Sequence, residues 1–330
     1  MGRYRIVSLI LVVALFILMF LGLIYGSVNI PFRSVLAILL KQDQNSKNAI
    51  IINTVRFPRV LAGVLAGAGL GTAGVILQSI MNNSLASPNT IGVNSGAGFL
   101  VMLSMMILPH SMLMRSFMAF VGAFFTSVII LCLAYVAEKS RMTIVLARIT
   151  ISSFLTAGMN MLKILDPDVT VGATHFLIGS LSGVTMGALG YPAIGIICGI
   201  AFSIVFSKAL NILSLGDGTA FSLGLKVNRF RVLFVLVASI LSGLVVSFAG
   251  LIGFVGLIVP HICRYLVGND ARRLIPVSAL MGSVFILLSD LISRTIFSPY
   301  ELPVGILLSL TGGPFFLYLL MKKGGRRLNA

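Results

Sequence analysis

The sequence predicts an all-α, polytopic membrane protein with about ten transmembrane helices, and three observations lead there. The 330 residues are 58% hydrophobic and only 10% charged, against about 25% charged in soluble domains. Mean hydropathy is +1.09. Apolar runs long enough to cross a bilayer, about 20 residues each, recur from one end of the chain to the other.

Helices are expected near 6–27, 59–81, 91–108, 116–137, 143–164, 190–212, 232–249, 252–268, 275–297 and 303–321. The first begins MGRYRIVSLILVVALFILMF. Its apolar run is too long for a signal peptide and no small-residue cleavage site follows, so it is expected as an uncleaved first span. The third is short and the eighth carries Pro260, so neither needs to be a straight span. Between the first two, IPFRSVLAILL marks a short helix at the membrane surface. Residues 1–330 are expected to form one membrane domain, with no soluble domain expected within them.

The net charge of +16 does not indicate nucleic-acid binding, because the basic residues flank hydrophobic segments instead of forming one face or run. Ten crossings with both termini in the cytoplasm place Arg3, Arg5, Lys139, Arg141, Arg148, Lys208, Lys226, Arg229, Arg231, Arg264, Arg272, Arg273, Lys322, Lys323, Arg326 and Arg327 inside. That is 16 of 24 basic residues, the bias that sets orientation in membranes. This orientation makes the polar, glycine-broken stretch SLGDGTAFSLGLKVNRFR, residues 214–231, cytoplasmic.

Few residue patterns suggest catalysis. Gly69, Gly71 and Gly74 satisfy GxGxxG, but a dinucleotide fingerprint needs a preceding strand, and here an apolar helix surrounds them. Gly63, Gly67, Gly71 and Gly74 recur on one helix face, where small residues let membrane helices approach closely. There is no P-loop and no HExxH. His110, His175 and His261 are dispersed, and Cys132, Cys198 and Cys263 are expected as small core residues. No metal site or cofactor is expected. Asp290 is the best intramembrane candidate for proton coupling. It also stands four residues before Arg294, so a local ion pair is the plainer reading.

Three stretches carry a resemblance to a known family. They are RFPRVLAGVLAGAGLGTAGVILQSIMNNSLASPNTIGVNSGAGF (56–99), LSLGDGTAFSLGLKVNRFR, and GLIGFVGLIVPHICRYLVGNDARRLIPVSALMGSVFILLSDLISRTIFSPYELPVGILLSLTGGPFFLYLL (250–320). Together they resemble the permease subunits of bacterial ABC importers for iron-siderophores, haem and vitamin B12, the FecCD/BtuC-like family. The likeness runs from about residue 50 to 321.

The resemblance implies a dimer of ten-helix subunits, formed with a second copy or a paralogue, with the pathway between them. It also implies two separate ATP-binding subunits on the cytoplasmic side, an extracytoplasmic substrate-binding protein, and a location in the bacterial cytoplasmic membrane. Residues 213–227 become the ATPase-coupling element, with Leu215, Asp217, Phe221, Leu223, Gly224 and Leu225 as its contacts; without the resemblance they read equally as a plain loop. Where the family often carries an acidic pair after LSLG, this chain has Asp217 and Gly218. Arg56, Arg59 and Arg294 become docking residues for acidic groups of the binding protein, a task the guanidinium fork suits; the plainer reading is arginines reaching to headgroups. Asn83, Leu85 and Thr143 become a cytoplasmic gate. The implied function is permeation of a ferric siderophore or related chelate, with haem or cobalamin as alternatives within the family. A proton-coupled carrier dependent on Asp290, or a scaffold without transport, are alternatives of other classes.

Overall fold

The structure, a computed structural model, describes all residues except 1, 27, 29, 44–45, 89–91, 109–110, 137–140, 299 and 329–330. Most of the described residues are helical, with no strand among them. A backbone crossing hydrocarbon has no water to pair with, and the helix satisfies its polar groups internally. Among the described residues six helical spans are both long and apolar enough to cross a membrane.

In chain order the elements are α1 (Gly2–Ile24), α2 (Phe32–Leu39), α3 (Lys47–Ile51), α4 (Phe57–Ile80), α5 (Val93–Ile107), α6 (Met112–Val136), α7 (Arg141–Leu165) and α8 (Pro167–Ile178). There follow α9 (Met186–Val205), α10 (Ser207–Leu213), α11 (Asp217–Ser222), α12 (Val227–Ala249), α13 (Val255–Val267), α14 (Ala271–Thr295) and α15 (Val304–Leu328). Each of the ten expected helices overlaps one of these.

The differences lie at helix ends and breaks. The helix expected from 59 begins at Lys47, because α3 and α4 are joined by a π-helical turn, Ile52–Arg56. Pro58 has no N–H and its ring crowds the carbonyl four residues back. The wider turn, in which the Phe57 N–H reaches the Ile52 carbonyl, accommodates it. Helix α8 was not expected, although Asp166 capping the Asp168 N–H at 3.1 Å and Pro167 in the first turn are start signals. The run expected at 190–212 breaks at Phe206 into α9 and α10. Cys263 is in the core, but Cys132 and Cys198 are exposed on the single chain. At 13 and 15 residues, α13 and α5 extend only about 20 Å at 1.5 Å per residue, short of a bilayer core.

Helix α4 is the axis of the fold. It is buried along nearly its whole length and packs against α14, α12, α13 and α9. Helix α5 pairs with α6 and also meets α7 and α8, while α1 lies along α14. The surface helix α2 turns Val35 and Ile38 inward, in a small second core with Ile30, Ile52 and Val60. The α4 axis thus carries Arg59 at one end, here called the outer end after the expected orientation, and the 81–88 loop at the other.

Candidate functional site

At the outer end, Arg56, Arg59 and Arg294 come together, but inside the protein. They are 4%, 5% and 3% exposed, so they do not reach out to headgroups as the plainer reading has it. Arg59 donates through Nε to both Asp290 oxygens, at 3.1 and 3.2 Å. Its Nη2 donates to Oδ1 at 3.0 Å and its Nη1 to Glu301 Oε2 at 2.5 Å. Arg294 Nε stands 3.1 Å from Asp290 Oδ2, as a charge neighbour more than a directed hydrogen bond. The local Asp290–Arg294 pair is therefore present, and Arg59 adds a second cation that sequence spacing does not show.

Arg56 Nη1 donates to the carbonyls of Leu23 at 2.6 Å and Ile24 at 2.7 Å, and Nη2 to that of Val28. Arg294 Nη1 reaches the Gly22 carbonyl at 3.3 Å. The last carbonyls of a helix lack partners within it and carry the negative end of its dipole. The end of α1 thus supplies acceptors that allow two guanidiniums to be buried. Gly22 and Gly26 make room: a Cβ at either would meet Arg294 Nη2 or Arg56 Nη2 at 3.3 Å.

At the opposite end, residues 213–227 fold into the end of α10, the short helix α11 and two glycine turns. Gly216 and Gly224 have φ of +100° and +78°, values that favour glycine. Leu215, Phe221 and Leu223 project outward and are exposed, Phe221 at 77%. Leu225 instead packs partly against the core. Asp217 is bonded back to Arg231, whose Nη1 donates at 2.9 Å, so its carboxylate fastens α11 to α12.

Two polar links tie this element to the bundle, and sequence reading missed both. Asn211 Nδ2 donates to Asp270 Oδ1 at 2.9 Å, and its Oδ1 accepts from the Ala271 N–H at 2.8 Å. Asp270 also caps α14 through the Arg272 N–H at 3.1 Å. The Asp270 cap was readable from an acid preceding an apolar run; its partner in a distant helix was not. Asn82 Nδ2 lies 3.4 Å from the Leu213 carbonyl, joining the 81–88 loop to α10. In that loop Asn83 Oδ1 accepts from the Leu85 N–H at 3.0 Å; Asn83 is exposed and Leu85 half-buried. Thr143 falls in α7, and its side chain lies outside the described residues, as does His110.

Between the ends, the glycine face of α4 meets backbone. A Cβ at Gly67 would fall on the Gly282 carbonyl, at Gly71 on that of Ser278, and at Gly74 on that of Gly256. At Gly63 it would press on the Leu287 side chain at 2.7 Å. The site residues thus form a buried outer cluster, an exposed apolar inner projection, and a close-packed axis between them. Among the described residues no three His, Cys, Asp or Glu groups gather as metal ligands.

Comparison with known proteins places the whole chain. The Fe(3+)-citrate import system permease protein YfmD of Bacillus subtilis is 38% identical over 320 residues, 96% of this chain and 95% of that protein. The iron-uptake system permease protein FeuB of the same organism is 34% identical, covering 98% of this chain and 97% of that one. A solved structure described as an inward-facing conformation of a metal-chelate type ABC transporter matches with a TM-score of 0.83 at 28% identity, covering 96% of this chain and 99% of that one. The profile of the FecCD transport family matches residues 14–322, nearly the whole chain, and the chain belongs to that family.

Proposed function

We propose that the chain is the membrane permease subunit of an ABC importer that brings a ferric siderophore or related metal chelate across a bacterial cytoplasmic membrane. The observation that carries this reading is whole-length likeness to iron-import permeases, extending to 96% of this chain and 95% of the relative. ATP is hydrolysed by two separate subunits; this chain supplies the path and its mechanical coupling, and performs no chemistry. It pairs with a second copy or a paralogue.

The apolar projection of Leu215, Phe221 and Leu223 supports the coupling role. An exposed aromatic on α11 with an exposed leucine on either side of that helix suits a partner cleft. The outer arginines serve an acidic binding protein, and Asn83 and Leu85 narrow the inner mouth. Dependence on a proton at Asp290 has less support, since that carboxylate is already the counter-ion of two arginines at 3.0 and 3.1 Å.

Reconstitution with the ATPase and binding-protein subunits tests the reading. ATP-dependent accumulation of labelled ferric citrate or a ferric hydroxamate supports it. Uptake that follows a proton gradient without ATP refutes it.

A further inference from the structure

We propose that the outer edge of Arg59 is a carboxylate-binding site. Glu301 fills it from within the chain, and an acidic side chain of the docking protein takes it over. This rests on the docking role proposed above for the outer arginines, and adds the group that those acids must replace.

The two carboxylates on Arg59 are not equivalent. Asp290 is 1% exposed, lies within α14, and is held by Arg59 on one side and Arg294 on the other. Glu301 is 28% exposed and belongs to the segment between α14 and α15. It meets Arg59 at Nη1, while Nε and Nη2 are committed to Asp290. The guanidinium therefore has an inner edge fixed by a buried acid and an outer edge held by an acid on a connecting segment.

Exchange at the outer edge is chemically mild. One carboxylate leaves and another arrives, so the guanidinium keeps its charge partner and its hydrogen bond. Removing Asp290 would instead leave two buried cations without their shared anion. The cluster holds three guanidiniums and two carboxylates, and the carbonyl end of α1 offsets only part of the third positive charge. An incoming acid thus meets a site with positive charge in excess. Phe297 and Tyr300, exposed beside Glu301, offer aromatic surface around the point of exchange, the residue type that anchors interfaces.

Carboxylate rescue tests the site without any partner. Glu301→Ala is expected to melt at a lower temperature than wild type in sodium chloride. Sodium acetate at equal ionic strength should raise its melting temperature by several degrees more than it raises wild type. Equal effects of acetate on the two proteins overturn the site. If Glu301→Ala does not fold, Glu301→Gln keeps the shape, and the same acetate excess is expected of it.

Handover is read with a solute-binding protein that stimulates ATP hydrolysis by the assembled importer in nanodiscs. That protein should bind Glu301→Gln about tenfold more tightly than wild type, the scale of one charge-assisted hydrogen bond. Binding that Glu301→Gln leaves unchanged overturns the handover and leaves docking standing. No binding to either protein overturns docking and handover together, and the acetate result then speaks for the site alone.

Discussion

Gly67 on α4 and Gly282 on α14 touch backbone to backbone, and the contact is reciprocal. A Cβ built on Gly67 falls on the carbonyl of Gly282, and one built on Gly282 falls on the carbonyl of Gly67. Lipid gives no hydrophobic drive for helices to associate, so close van der Waals contact of this kind is a main source of cohesion. Gly67→Leu or Gly282→Leu should lower the melting temperature in detergent with no ligand or ATPase present. Overpacking costs about 1–3 kcal/mol in soluble cores, and a leucine against a main chain belongs at or above the upper end. An unchanged melt for both variants would remove this contact from the stability of the fold.

The outer cluster leads to a second expectation. Asp290→Ala leaves Arg59 and Arg294 buried without their shared anion, and loss of one partner from a buried pair costs about 3–5 kcal/mol. Arg56→Gln should be milder, since a neutral amide still donates to the carbonyl end of α1. The order of melting temperatures should be wild type, then Arg56→Gln, then Asp290→Ala. The reverse order of the two variants would show that the capping of α1 matters more than the ion pairs.

Coupling is tested at the exposed side chains. Phe221→Asp with Leu223→Asp should leave the melting temperature of the isolated chain near wild type, because neither side chain is buried. ATPase subunits should then fail to co-purify, or their hydrolysis should no longer respond to the loaded binding protein. Leu225 is a poor choice for this test because it packs partly against the core, and a charge there would confuse folding with docking. Normal assembly and normal stimulation in the double variant would refute the coupling role.

The parts of the molecule differed in how readily the sequence revealed them. Helix positions were legible because hydropathy acts over some 20 residues at a time, and the α4 face was legible because glycines repeat at helical spacing. The environment of Arg59 was not. Arginines beside an apolar run look alike whether they reach headgroups or are buried, and the deciding partners, Asp290 and Glu301, stand 231 and 242 residues away. Even the correct local pair of Asp290 with Arg294 hid the larger fact that one carboxylate serves two helices. The same limit applies to Asn211, a polar residue in a short helix whose two partners lie about 60 residues on.

Asn211 gives the last prediction. Its amide accepts from the Ala271 N–H and donates to Asp270, so α10, which leads into the proposed coupling element, is pinned to the first turn of α14. Helix α14 then runs through the Gly282 contact to Asp290 at the far end. If α10 moves, α14 is the element that would carry the displacement toward the outer cluster. Asn211→Leu removes both hydrogen bonds while keeping a side chain of similar size. One of these bonds is exposed and the other half-buried, and such a loss costs about 0.5–1.5 kcal/mol at most for each, so the variant should fold and assemble with its ATPase. In proteoliposomes, ATP hydrolysis should persist while transport per ATP falls several-fold. If hydrolysis and transport fall in the same proportion, Asn211 serves assembly alone, and the link between α10 and α14 is not the path by which the inner end moves the outer.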